Sequence, residues 1–328
     1  MIKILIIGMN YIGDTIFITP LIRELKRHYK DSIIDVVNGV RGLDILKENP
    51  YINKVIKNDE NTLEYIKKEK YDIGYTATTA FYGASILYKA KIPIRVGVNS
   101  ECRGLLLTHK TSWKKHNRHI IDTILAPLKK LNIEVQNKNT ELFLTEEELF
   151  QGKIKMQNIE KALIVHGGAT RISKRYSKEN FAKLLKMFYE NTKANIVLIG
   201  SKDDLDFSKY INKELGNIIK KDFTNKLTIR ELISVIKQGY ALIGGDSSPL
   251  HIANALGIYS IGIFGDTLPL VYGVRGEKAI NIEQRKKYCT TIKSYKCEYI
   301  KRGCKTVDCL NKLEVLEIMP YLIEIYNN

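Results

Sequence analysis

No stretch of this sequence stays apolar for the ~20 residues that a helix needs to cross a bilayer. Its opening, Met1 to Gly8, is a short apolar run that ends in a glycine-containing turn, with no small-residue cleavage site behind it. It therefore reads as a first buried strand rather than a secretion signal, and the expected location is the cytoplasm. Cysteine is scarce: Cys102 stands alone, and Cys289, Cys297, Cys304 and Cys309 fall in one late segment without a paired C-x-x-C spacing. A cytoplasmic setting excludes a structural disulfide framework, and the spacing does not fit a common zinc site. The dinucleotide fingerprint G-x-G-x-x-G is also missing, which argues against a nicotinamide dehydrogenase. There is no RNA-binding signature, zinc-finger pattern or basic tail, so nucleic acid is not the expected partner.

What is present is an ordinary globular composition, 44% hydrophobic and 27% charged over 328 residues, enough for two domains. Lys and Arg exceed Asp and Glu by 52 to 36, a formal charge of +16. That excess favours anionic partners, although a solvated basic surface explains it equally well. A denser basic stretch runs from Lys110 to His119.

Strand and helix patterns alternate along the chain. Lys3–Ile7 is apolar throughout, the mark of a parallel strand covered on both faces. A helix is predicted from Thr15 to His28, and strands at 33–37, 55–56, 72–76 and 94–98, with helical stretches at 60–70, 81–90 and 118–131. The pattern restarts at Ala162–Val165 and continues through strands at 195–199, 241–243 and 260–264. The helices between them are predicted near 178–190, 204–215, 229–237 and 250–256. Residues 145–160 are polar and read as a linker, giving domains 1–150 and 151–328. A final amphipathic helix over 313–326 is expected to pack back on the first domain. The fold class is α/β, two doubly wound Rossmann-like domains with parallel sheets facing a central cleft.

Three loops carry the candidate chemistry, each following a buried strand. In Gly8 to Thr15, Asp14 near the helix start is either an N-cap or a base. Val165-His166-Gly167-Gly168-Ala169, followed by Lys174-Arg175, suits a phosphate or is a turn with solvated charges. In Ile243 to His251, glycines lead into Asp246, Ser247 and Ser248, with Pro249 at the head of a helix whose unsatisfied N–H groups form an anion site. His251 in that first turn is either a packed histidine or part of the site.

Taken in order, these motifs resemble glycosyltransferase family 9, the ADP-heptose:lipopolysaccharide heptosyltransferases. Gly13-Asp14 with Thr19-Pro20 is similar to the family's opening motif, Arg95-Val-Gly97 to its R-[IV]-G, and His119-Ile-Ile-Asp122 to its mid-chain helix start. His166-Gly-Gly-Ala169 with Lys174-Arg-Tyr-Ser177 resembles H-P-G-A…K-R-W-P. Gly245 to Ala253 resembles G-D-[ST]-G-P-x-H-[IL]-A, and Phe264-Gly-Asp-Thr267 falls where the family writes F-G-P-T. The resemblance implies a GT-B fold and an inverting glycosyl transfer with no required metal or other cofactor, using a nucleotide sugar, ADP-heptose. Asp14 would be the general base and Lys174 the residue that stabilises the leaving diphosphate. The donor would lie against Gly13, Gly167, Gly168, Asp246, Ser247, Ser248, Leu250 and His251, with Asp203 or Asp204 at the ribose and Leu227 at the adenine. Arg95, Arg118 and His119 would face an anionic glycolipid acceptor, with peripheral contact at the inner membrane. Departures are Tyr176-Ser177 for Trp-Pro, Ser248 for glycine and Asp266 for proline, and they leave the donor sugar open. Some relatives hold iron with late cysteines; the spacing differs here, so Cys289, Cys297, Cys304 and Cys309 are kept only as a metal alternative. The competing readings are a family member using another sugar or a protein acceptor, and a non-catalytic binding protein for sugar nucleotides or nucleic acid.

Overall fold

The computed structural model describes residues 1–100, 102–112, 118–169, 171–284 and 307–328. The chain forms two compact units, Met1–Leu144 and Thr145–Asn328. Each is built on a six-stranded sheet in which every pairing is parallel.

The first sheet runs β1 (Lys3–Ile7), β2 (Ile33–Asn38), β3 (Lys54–Lys57), β4 (Ile73–Thr76), β5 (Ile94–Asn99) and β6 (His109–Ser112), in spatial order β3-β2-β1-β4-β5-β6. Its helices are α1 (Ile12–Ile16), α2 (Thr19–His28), α3 (Leu43–Leu46), α4 (Thr62–Glu69), α5 (Phe81–Lys89) and α6 (Ile120–Leu125). Ile4, Leu5 and Ile6 of the central strand are fully buried, as a strand covered by helices on both faces must be.

The second sheet runs β7 (Leu163–His166), β8 (Ile196–Leu198), β9 (Ile219–Asp222), β10 (Ala241–Gly245), β11 (Tyr259–Phe264) and β12 (Ala279–Glu283). Its order, β12-β11-β10-β7-β8-β9, is again doubly wound. Around it lie α7 (Glu146–Lys155), α8 (Lys178–Thr192), α9 (Leu205–Leu215), α10 (Ile229–Lys237), α11 (Ser248–Ala255), α12 (Pro269–Tyr272), α13 (Asp308–Asn311) and α14 (Met319–Asn327). The expected α/β, GT-B-type pair of Rossmann-like units is what the chain forms. In each sheet the strand order reverses once, between β1 and β4 and between β7 and β10. A ligand crevice opens at such a point, where successive connections leave for opposite faces.

Several boundaries differ from the sequence reading. The helix expected over Thr15–His28 is two helices, because Pro20 lacks an N–H and its ring clashes with the carbonyl four residues back. The polar stretch from Thr145 is no linker. Thr145 and Glu148 form a capping box that opens α7, and α7 belongs to the second unit. The division therefore falls at 144/145 rather than 150/151. The terminal helix, expected over 313–326 and against the first domain, spans Met319–Asn327 and joins the second unit's own core. There Leu322 and Ile325 are buried, and Tyr326 stacks edge-on to Phe188 at 5.6 Å. Three strands carry no clear sequence signal: β6, β9 and β12. All are sheet edges, where polar side chains such as those of His109-Lys110 and Lys220-Lys221 meet solvent and break up the apolar run.

Candidate functional site

In the first unit, the β1–α1 loop lies at the reversal point. Its backbone is held by β2: Gly8 N–H donates to Val37 O at 2.8 Å, and Met9 N–H donates to the Asn38 side-chain oxygen at 2.9 Å. The Asn38 amide in turn donates to Thr15 Oγ at 3.0 Å, and Thr15 Oγ donates to Tyr11 O. Asn38 and Thr15 are both buried, so a rigid polar bracket flanks Asp14 on either side. The N-cap of α1 is Tyr11, and Asp14 is the third helical residue after Gly13, half-buried. The N-cap position is thus not Asp14's, while the helix N-terminus favours its charge.

Of the other first-unit residues singled out above, His119 is buried. It caps α6 by accepting the Ile121 N–H at 3.2 Å, and it packs edge-on to Phe17, three residues beyond Asp14. Arg118 is half-buried and donates to Thr123 Oγ at 3.3 Å. Arg95 lies elsewhere, at the start of β5 and so away from the C-terminal strand ends. Its guanidinium donates to the carbonyls of Ile92 (2.6 Å) and Leu106 (2.7 Å) and stacks on Tyr88. The structure gives Arg95 an internal binding role in this corner and does not bring it to the Asp14 loop.

In the second unit, the loops after β7 and β10 meet at the reversal point. Asp246 is the hub. One carboxylate oxygen accepts from Lys174 Nζ at 2.5 Å and from Thr267 Oγ at 2.6 Å; the other lies 3.3 Å from His251 Nε2. Asp246 and His251 are buried, and the Lys174 side chain keeps only 18% exposure. Burial alone pushes the Asp246 carboxyl up, but the His251 hydrogen bond and the Lys174 charge outweigh it and hold it well below the usual carboxylate range. The result is a fixed anion that keeps a lysine ammonium in place at the strand ends.

Beside it runs a second chain of contacts. Ser247 Oγ lies 3.0 Å from His166 Nδ1, and His166 Nε2 lies 3.5 Å from Asp204 Oδ2. The same Asp204 oxygen accepts from the Ser201 N–H (2.7 Å) and hydroxyl (2.8 Å). Burial raises the Asp204 carboxyl, yet the His166 and Ser201 contacts bring it down to about 2. A Cβ at position 168 would overlap the Asp204 carboxylate, so this close approach requires Gly168. Gly167 and Gly168 are buried. Ser247 is the N-cap of α11, Ser248 its first residue and Pro249 its second, one position later than the sequence suggests. Ser247 and Ser248 are half-buried, whereas Leu250 is fully covered.

Asp203 is exposed, in contrast to the inward-turned Asp204, and Leu227 is half-buried in the loop after β9. Sequence reasoning quoted His166 and Thr267 within motifs without giving either a role of its own, and did not reach Ser173 or Arg171. The signal available was position: His166 ends β7 and Thr267 lies three residues past the end of β11, both at the C-terminal end of the same sheet's strands. Cys289, Cys297 and Cys304 lie outside the described residues, and Cys309 is a half-buried cysteine on α13. Among the described residues no group of three or more His, Cys, Asp or Glu is placed to hold a metal. Among them, too, no helix is long and apolar enough to cross a membrane.

Residues 62–301 match glycosyltransferase family 9 (heptosyltransferase). Lipopolysaccharide heptosyltransferase 3 of Escherichia coli K12 is 25% identical over 286 residues, covering 79% of this chain and 81% of the relative. The crystal structure of the glycosyl transferase family 9 protein from Veillonella parvula superposes with a TM-score of 0.86 at 20% identity, over 99% of this chain and 97% of the other. The E. coli ADP-heptose lps heptosyltransferase II superposes with a TM-score of 0.81 at 20% identity, over 99% of both chains.

Proposed function

The chain belongs to glycosyltransferase family 9, the heptosyltransferases, and from that premise we propose that it transfers heptose from ADP-heptose to a lipopolysaccharide inner-core or related surface-glycan acceptor, with inversion and without a required metal. The observation that carries the reading is the Lys174 ammonium held at 2.5 Å from the buried Asp246 carboxylate, at the reversal point of the second sheet.

In this reading the second unit takes the donor. A lysine has three N–H donors; Asp246 takes one through its carboxylate and, at 3.5 Å, another through its backbone carbonyl, which leaves one for the diphosphate. The hydroxyls of Ser247 and Ser248 and the N–H groups that open α11 add neutral donors to the same anion. Asp203, exposed after β8, is better suited than the internally engaged Asp204 to meet the ribose hydroxyls, and Leu227 lines the base.

The first unit takes the acceptor. Its hydroxyl oxygen attacks the anomeric carbon from the face opposite the diphosphate, and Asp14 accepts the proton as the new C–O bond forms. The bond from that carbon to the β-phosphate oxygen breaks, and the charge gathering on the departing ADP is met by Lys174 and the α11 donors. His119 and Arg118 would lie toward the acceptor side. The +16 charge supports an anionic glycolipid and a peripheral contact at the cytoplasmic membrane face.

Calorimetry with a panel of nucleotide sugars, combined with turnover assays, tests this. ADP-heptose should bind and release ADP in the presence of core oligosaccharide. Asp14→Ala should keep donor binding within about three-fold while turnover falls by about 10³-fold or more. Binding of another nucleotide sugar in preference to ADP-heptose, or normal turnover of Asp14→Ala, would refute the donor or the base respectively.

A further inference from the structure

Asp266 stands where the family pattern writes proline, and the structure gives its side chain a use. It follows β11 and is buried, its side chain 2% exposed. Its carboxylate accepts from Arg171 Nη1 at 3.0 Å and from Ser173 Oγ at 3.0 Å, with Arg171 Nη2 at 3.5 Å from the second oxygen. Its backbone N–H donates to Ser173 O at 3.3 Å. Next to it, a Cβ on Gly265 would overlap that same Ser173 carbonyl, so the 171–174 segment lies directly on the end of β11.

The far end of this segment is Lys174, bound to Asp246, and Thr267 joins the two anchor points by donating to Asp246 one residue beyond Asp266. The segment is therefore fastened twice, at Arg171 and Ser173 to Asp266 and at Lys174 to Asp246. A buried carboxylate needs matched donors and tolerates little displacement from them. Arg171, whose side chain is 46% exposed, would otherwise have the freedom of a surface arginine. Proline at 266 would offer neither the carboxylate nor the N–H, and all of these bonds to Asp266 would be absent.

We infer that Asp266 is a positioning residue that acts through Arg171 and Ser173 to fix the segment delivering Lys174 to the donor diphosphate. The consequence for donor binding rests on the role proposed for Lys174; the locking of the segment does not. Both are read from Asp266→Asn, which keeps the size of the side chain, and from Asp266→Ala and Asp266→Pro.

Hydrogen exchange at the Lys174 and Arg175 amides, which bond to the Arg171 and Ile172 carbonyls, reports the lock without any ligand. Calorimetry with ADP and steady-state kinetics report its use. Asp266→Ala and Asp266→Pro should speed exchange at these amides and raise the ADP Kd and donor KM by about 10-fold, with the acceptor KM unchanged. Asp266→Asn, able to keep the Ser173 bond but not the ion pair, should fall between them and wild type. Should the alanine variant fail to fold, the asparagine variant decides. Exchange within about two-fold of wild type in all folded variants overturns the lock. Faster exchange with unchanged ADP and donor constants overturns its delivery role. If the wild-type protein turns over no nucleotide sugar, the proposed function falls, and the exchange measurement still decides whether Asp266 holds the segment.

Discussion

At the scale of single residues, the second-unit site is built from carboxylates that are buried yet charged. Asp246 loses water and is met by Lys174, His251 and the Thr267 hydroxyl, and Asp204 by His166 and the Ser201 N–H and hydroxyl. This arrangement has a pH signature. Asp204 is brought from an ordinary 3.8 down to about 2. A carboxyl lowered in the fold stabilises it above the unfolded value, and that contribution disappears as pH falls through the folded value. Thermal melts of wild type and Asp204→Asn should therefore differ at about pH 5 by an interval that closes between about pH 4 and pH 2. A difference independent of pH across that range would mean that the charge of Asp204 contributes nothing to stability.

The residue scale also shows where sequence reasoning reaches its limit. Asp246 and His251 are legible together, since a glycine-rich strand end followed by a helix start constrains what its neighbours do, whereas Lys174, 72 residues earlier, is tied to them only by the family resemblance. Asp14 was legible only as a choice between cap and base. The structure gives the N-cap position to Tyr11, and Asn38, distant in sequence, holds the loop. Asp266 was visible only as a departure from a pattern. Its partners lie 93 and 95 residues earlier, and no local periodicity connects them.

At the scale of elements, central strands announced themselves while the edge strands β6, β9 and β12 did not and the edge strand β3 showed only at Val55–Ile56, because burial on two faces writes a continuous apolar run whereas an edge with lysines does not. Helix α7 is the clearest case of tertiary context overriding composition. Its sequence is polar enough to read as a linker, but Glu148 forms a two-pronged pair with Arg230 of α10, at 2.6 Å to Nε and 2.5 Å to Nη2. The Arg230 hydrogen bond, more than any other contact, holds the Glu148 carboxyl below its usual value. This pair, together with the Thr145 capping box, fastens α7 to the second unit. Glu148→Ala should lower stability by about 1–3 kcal/mol, measured by urea unfolding, and should leave ADP binding unaltered. The variant removes a fork of charged hydrogen bonds and a capping contact together. A loss below about 0.3 kcal/mol would return α7 to the status of a solvated connector.

At the scale of the whole molecule, two Rossmann-like units each place their informative loops at the one point where the strand order reverses. The Asp14 loop follows β1, and the Lys174 and Asp246 loops follow β7 and β10. The architecture selects these loops over the many other charged positions of a chain carrying 52 basic and 36 acidic residues. The account joins them into a single direct displacement at the anomeric carbon, with Asp14 as the base and ADP as the leaving group. The measurement that tests this most directly is NMR of the product formed from ADP-heptose and core oligosaccharide in the presence of a chelator. The account predicts ADP release and a new glycosidic linkage whose anomeric configuration is opposite to that of the donor. Retained configuration, or a reaction that stops when metal is removed, would contradict it.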